Sequence, residues 1–158
     1  MKLSPSLLTS TLAAVAVTAV SANAQLSFTS SATLGTGQQP DTVAFGDFDQ
    51  DCDQDLAVTS DNLDKIEIWS NDGAGNFTFS FSILTGSNTG AAALEAEDFD
   101  GDGRCDLAVS LHNANAVAVY RNLGGGVFSL TSSVAVGLDP ANMDAGDVDG
   151  DGDVDLAT

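Results

Sequence analysis

One thirteen-residue pattern occurs three times in the chain. GDFDQDCDQDLAV starts at Gly46, EDFDGDGRCDLAV at Glu97 and GDVDGDGDVDLAT at Gly146. Each copy sets aspartates at near-alternate positions and then enters a short apolar segment. Asp47 and Asp98 are 51 residues apart, and Asp98 and Asp147 are 49 apart. A period of this size requires an array of like units, as in solenoids or propellers.

The likeness between units extends beyond the acidic stretch. Asp61 and Asn62 match His112 and Asn113, and Ile66, Ile68 and Trp69 match Val117, Val119 and Tyr120. Asn71, Gly73, Gly75 and Phe77 match Asn122, Gly124, Gly126 and Phe128. The segments LAVTS, KIEIWS and AVAVYR alternate or carry β-branched residues, which predicts strands. One unit therefore reads as strand, acidic loop, strand, polar turn, strand, Asn- and Gly-rich hairpin turn, strand. Four short antiparallel strands in about 50 residues is the content of one propeller blade. The expected fold is all-β, with repeats near 41–90, 91–140 and a truncated 141–158. FTSSATLGTGQQPDTVAFGD aligns with FSFSILTGSNTGAAALEAED, so the outer strand of a preceding blade comes first. The expectation is a partial propeller of roughly two full blades plus flanking strands. Exposed sheet edges favour unwanted pairing, so the other blades are expected from a longer chain or from self-association.

The acidic loops carry the chemistry. In the second copy Asp98, Asp100, Asp102 and Asp106 lie within nine residues. Carboxylates this close repel one another unless a cation sits among them. Ca²⁺ takes about six to eight hard oxygen ligands. The predicted ligands are the side chains at positions one, three, five and nine, with the backbone carbonyl at seven. That set is Asp98, Asp100, Asp102, the Arg104 carbonyl and Asp106. In the first copy it is Asp47, Asp49, Asp51, the Asp53 carbonyl and Asp55. In the third it is Asp147, Asp149, Asp151, the Asp153 carbonyl and Asp155. Gly103 at position six permits the positive φ that a tight turn needs. An EF-hand is excluded, because its position-twelve Glu is replaced by Val58, Val109 and Thr158 and its flanking helices by strand patterns.

The chain has 23 acidic and four basic residues, a formal charge of −19. Such a surface repels nucleic acid and anionic lipid. An apolar fraction of 43% in a strong pattern argues for a fold rather than disorder. Lys2, an apolar run from Leu7 to Val20 and Ala22-Asn23-Ala24 read as a signal peptide over residues 1–24, with Gln25 opening the mature region 25–158. The run is too short and polar for a membrane span, so the expectation is a secreted or cell-surface protein with no membrane insertion after cleavage. Cys52 and Cys105 lie in equivalent loops of separate repeats and are expected to stay unpaired.

On these motifs the chain resembles the FG-GAP/VCBS-type repeat of integrin α-subunit propellers and many secreted bacterial proteins. The resemblance implies Ca²⁺-binding β-propeller blades, with the metal held at the positions named above. It names a scaffold more than a function. The expected role is a binding or adhesion module with structural Ca²⁺ and no catalytic activity, its partner a carbohydrate or an extracellular protein. The alternative is a part, catalytic or not, of a secreted polysaccharide-active enzyme. His112 is read as a polar turn residue. Trp69 and Tyr120 could form a carbohydrate platform, but packing between blades is the favoured reading.

The first loop carries Gln50 and Cys52 where the other two carry glycine. A side chain at positive φ is strained, so the first loop should bind Ca²⁺ more weakly than the second. Equilibrium Ca²⁺ titration of single-loop variants checks the ranking, and equal affinities would refute it.

Overall fold

The computed structural model of the chain describes residues 12–16, 29–37 and 39–158. Of the expected leader it describes strand β1 (Leu12–Ala16), paired antiparallel with β2 (Thr29–Leu34). The rest of the leader, with its cleavage pattern, lies outside the described residues.

Two four-stranded antiparallel sheets follow, each in chain order. The first joins β3 (Pro40–Gly46), β4 (Asp55–Ser60), β5 (Lys65–Asn71) and β6 (Phe77–Leu84). The second joins β7 (Ala91–Glu97), β8 (Asp106–Leu111), β9 (Ala116–Asn122) and β10 (Phe128–Ala135). A pair, β11 (Asp144–Gly146) and β12 (Asp155–Ala157), starts the same pattern again. Each acidic loop connects the first two strands of its sheet. Among the described residues there is no α-helix, only a 3-10 turn at Asp61–Leu63. The all-β, blade-like reading of the sequence is the fold the chain adopts.

Strand alternation sorts the side chains between two faces. Ala57 lies opposite Ile68, which lies opposite Phe81. This face of the first sheet, with Ile66 and Phe48, packs against Leu107, Val109, Ala118 and Tyr120 of the second. The opposite face places Leu56 and Val58 against Leu34, Trp69 and Phe77. Every residue of β4 and of β8 is buried, because both sides of these strands are covered. Full burial of a Leu or Ile here is worth about 1.5–3 kcal/mol. Tyr120 is 5% exposed in the core between the sheets, so it packs and offers no platform. Trp69 is half-buried and meets Phe79 edge-on at 5.5 Å.

Two register breaks recur between the sheets, one where β5 and β9 meet β6 and β10, and one near the start of β3 and β7 that hydroxyls repair. The register breaks between Pro40 and Val43 in β3 and between Ala91 and Leu94 in β7. At the first break the Thr42 amide donates to Thr59 Oγ1 at 2.9 Å, and at the second the Ala93 amide donates to Ser110 Oγ at 2.9 Å. Thr59 also donates to the Ala92 carbonyl at 2.8 Å, which ties one sheet to the next. A buried amide without a partner would cost about 1–3 kcal/mol, so Thr59 and Ser110 are structural.

The link between the sheets is gathered by Asp64, which has a left-handed backbone at φ 49°. Its carboxylate accepts from the amides of Asn88, Thr89 and Gly90 at 2.6, 2.8 and 2.9 Å. These donors, Gly90 foremost, hold the Asp64 carboxyl below its ordinary pKa. Its counterpart Asn115 accepts the Asp139 amide at 2.9 Å on the way to the third unit.

His112 is a polar turn residue that also spans repeats. Its Nε2 lies 2.8 Å from Asp61 Oδ1 of the first unit, and its Nδ1 3.4 Å from Asp139 Oδ1 ahead of the third. The Asp61 hydrogen bond raises the imidazole pKa above its ordinary 6.5. A raised folded-state pKa adds stability that is complete below the unfolded value and fades as pH rises through the folded one. H112Q should therefore be less stable than the parent below pH 6.5, by up to about 1 kcal/mol. The difference should vanish at alkaline pH. Paired denaturant titrations from pH 5 to 9 check this, and a constant difference would refute it.

Candidate metal centres

The three acidic loops fold alike because their own aspartates template them. At position one, Asp47 accepts the amides of Asp51 and Cys52 at 3.1 and 3.0 Å. Asp98 accepts those of Asp102 and Gly103 at 3.1 and 2.8 Å. Asp147 accepts those of Gly150 and Gly152 at 2.6 and 3.1 Å. At position three, Asp49, Asp100 and Asp149 each accept the amide two residues on, at 3.3, 3.2 and 3.2 Å. Side-chain oxygens thus replace the ladder partners that a tight loop cannot reach.

Position nine does most to seat the loop. Asp55 is fully buried, accepting the Phe48 amide at 3.0 Å and the Asn71 amide at 2.9 Å. It joins the loop's start to the β5–β6 hairpin. Asp106 repeats the second bond, accepting the Asn122 amide at 2.7 Å, and Asp155 repeats the first, accepting Val148 at 3.1 Å. The Phe48 side chain enters the core between the sheets and meets Phe128 edge-on at 5.9 Å. Its carbonyl accepts Asn122 Nδ2 of the second sheet at 2.9 Å. The first loop is therefore pinned to its own hairpin and to the neighbouring blade. Motif reading missed this second duty of the aspartate and the part played by Asn122. The only sequence signal was the recurrence of Asn71 and Asn122 at one place in each repeat.

In each loop, positions one, three and nine converge. Carboxylate oxygens of Asp47, Asp49 and Asp55 lie within 4.8 Å of one another, as do those of Asp98, Asp100 and Asp106 and of Asp147, Asp149 and Asp155. The position-five side chains lie outside these trios. Asp51, Asp102 and Asp151 instead accept the position-seven amides of Asp53, Arg104 and Asp153, at 2.9, 3.0 and 2.9 Å. A trio of hard oxygens at this spacing suits a divalent cation of the Ca²⁺ or Mg²⁺ kind.

The electrostatics agree with that fit. Desolvation, then the charges of Asp55 and Asp51, push the Asp49 pKa up. Burial raises that of Asp106 as well. Asp102 moves the other way, because a hydrogen bond from Arg121 stabilises its ionised form. Cys52 and Cys105 are free, and burial followed by nearby carboxylates pushes Cys105 up to about 12. Cys105 also explains Gly46, where a Cβ would lie 2.5 Å from its sulfur.

An FG-GAP-like repeat family model matches residues 47–109 and 98–158. The chain belongs to this FG-GAP-like repeat family. No curated protein sequence matches it. The repeats and the fold define a β-propeller-type binding module. FG-GAP repeats commonly bind divalent cations and are typical of extracellular proteins. Among the described residues no helix is long and apolar enough to cross a membrane.

The glycine-lacking first loop takes the same backbone as the others. Gln50 and Cys52 sit at φ 68° and 75°, beside 73° and 83° for Gly101 and Gly103. Left-handed backbone costs a side-chain-bearing residue about 1–2 kcal/mol. C52G should therefore stabilise the folded chain by about 1 kcal/mol. Urea denaturation checks it, and a loss of stability would show that Cys52 makes a compensating contact.

Proposed function

We propose that the chain is a secreted, Ca²⁺-stabilised propeller segment with a binding or adhesion role rather than a catalytic one. The observation that supports this most is the threefold convergence of carboxylates within 4.8 Å at the same strand connection. The proposed ligands are the trios together with the position-five carboxylates and position-seven carbonyls expected from the motif. Bound Ca²⁺ supplies the charge that offsets repulsion among the carboxylates.

The protein's own residues then do the structural work. Loop one carries Phe48 into the core between the blades, and Asp55 and Asn122 hold its backbone there. A loop kept in shape keeps neighbouring blades in register. Turns held this way offer a rigid surface to a carbohydrate or to an extracellular protein, which binding at loops on a fixed scaffold favours.

Removing Ca²⁺ with EGTA should lower the thermal midpoint by about 10 °C or more, since ligand at a hundred times its Kd stabilises by about 2.7 kcal/mol per site. Circular dichroism melts with Ca²⁺, with Mg²⁺ and with EGTA read it. An unchanged midpoint and β spectrum after exhaustive chelation would reject structural Ca²⁺.

A further inference from the structure

Two of the chain's four basic residues, Arg104 and Arg121, sit on the second acidic loop. Arg121 Nε lies 2.5 Å from Asp100 Oδ2, a charge contact without hydrogen-bond geometry, and its terminal nitrogen donates to Asp102 Oδ2 at 2.7 Å. The Arg104 guanidinium also pairs with Asp102, and its Nε donates to the Asn122 carbonyl at 2.7 Å. Asp100 belongs to the convergent trio of this loop. A permanent monovalent cation is therefore already paired with one of three carboxylates that suit a divalent ion.

The arrangement is particular to this repeat. Arg121 follows Tyr120 in β9, and the matching place after Trp69 in β5 is Ser70. Among the described residues no ion pair reaches Asp47, Asp49 or Asp55, and Lys65 is paired with Glu67 at 2.7 Å. The first loop carries its repulsion uncompensated by a side-chain cation. The second does not.

We infer that Arg121 is a built-in counter-cation of the second loop: it holds Asp100 and Asp102 when no divalent ion is present and competes with such an ion for Asp100. The inference rests on the Ca²⁺ reading above. It makes the second loop the one that keeps its shape when Ca²⁺ is scarce, at the expense of affinity. Strain at Gln50 and Cys52 weakens the first loop by a separate route, so the two loops are tuned by unlike means.

The test replaces Arg121 with the residue of the first repeat. In the full chain carrying D49N and D149N, only the second loop keeps its trio. Calorimetric Ca²⁺ titration at low salt should then show R121S binding about tenfold tighter than the same chain with Arg121. The gap should narrow at high salt. In the otherwise unaltered chain under EGTA, R121S should melt lower than the parent, with R121K in between. Equal Ca²⁺ affinities, or equal midpoints under EGTA, would overturn the inference and leave the Ca²⁺ reading standing. Absence of Ca²⁺ binding by both chains and by the unaltered chain would remove the reading and the inference together, whereas binding by the unaltered chain alone would overturn only the inference.

Discussion

The buried aspartate at the ninth loop position is the joint on which the structure turns. A carboxylate without solvent is costly unless its oxygens are met by donors. Asp55 meets two backbone amides, one at the start of its loop and one at the start of the next hairpin. The acidic loop, two strands and the hairpin turn become one braced unit. Through Phe48, seated in the core between the sheets, the same brace reaches the neighbouring blade. The residue that completes the carboxylate trio thus also sets where the trio stands.

Charge is the second constraint. With 23 acidic residues against four basic ones, the chain cannot neutralise its loops with its own side chains. Backbone amides do part of the work, since every trio carboxylate accepts at least one. Amides offer partial charges only. Desolvation and then the charges of Asp55 and Asp51 still push the Asp49 pKa up. In the second loop two arginines supply full charges, and Asp102 shifts the other way. The first and second loops, alike as motifs, are therefore electrostatically different objects.

The blades themselves were legible in the chain because period and alternation are local signals. The polar turn, the hairpin turns and the strand content follow from residues within reach of one another. Positive φ at Cys52 was legible too, since its place in the motif belongs to glycine in the other copies. The amide bonds of the position-five aspartates were not legible. Spacing places them with the other ligands, and one oxygen of each also accepts the position-seven amide of its own turn. A one-dimensional pattern does not show which backbone donor a side-chain oxygen meets.

The amino-acid order by itself settled the all-β class and the acidic loops, because these depend on neighbours within a few residues, and the repeating unit, because the same pattern returns after 51 and 49 residues. It also marked Trp69 and Tyr120 as equivalent. Only the tertiary structure decided that Tyr120 is walled in, that His112 of one repeat meets Asp61 of another, and that Arg121 lies against Asp100. Those outcomes depend on how separate strands and blades stack. Stacking brings together residues far apart along the chain, and no local spacing encodes which of them will touch.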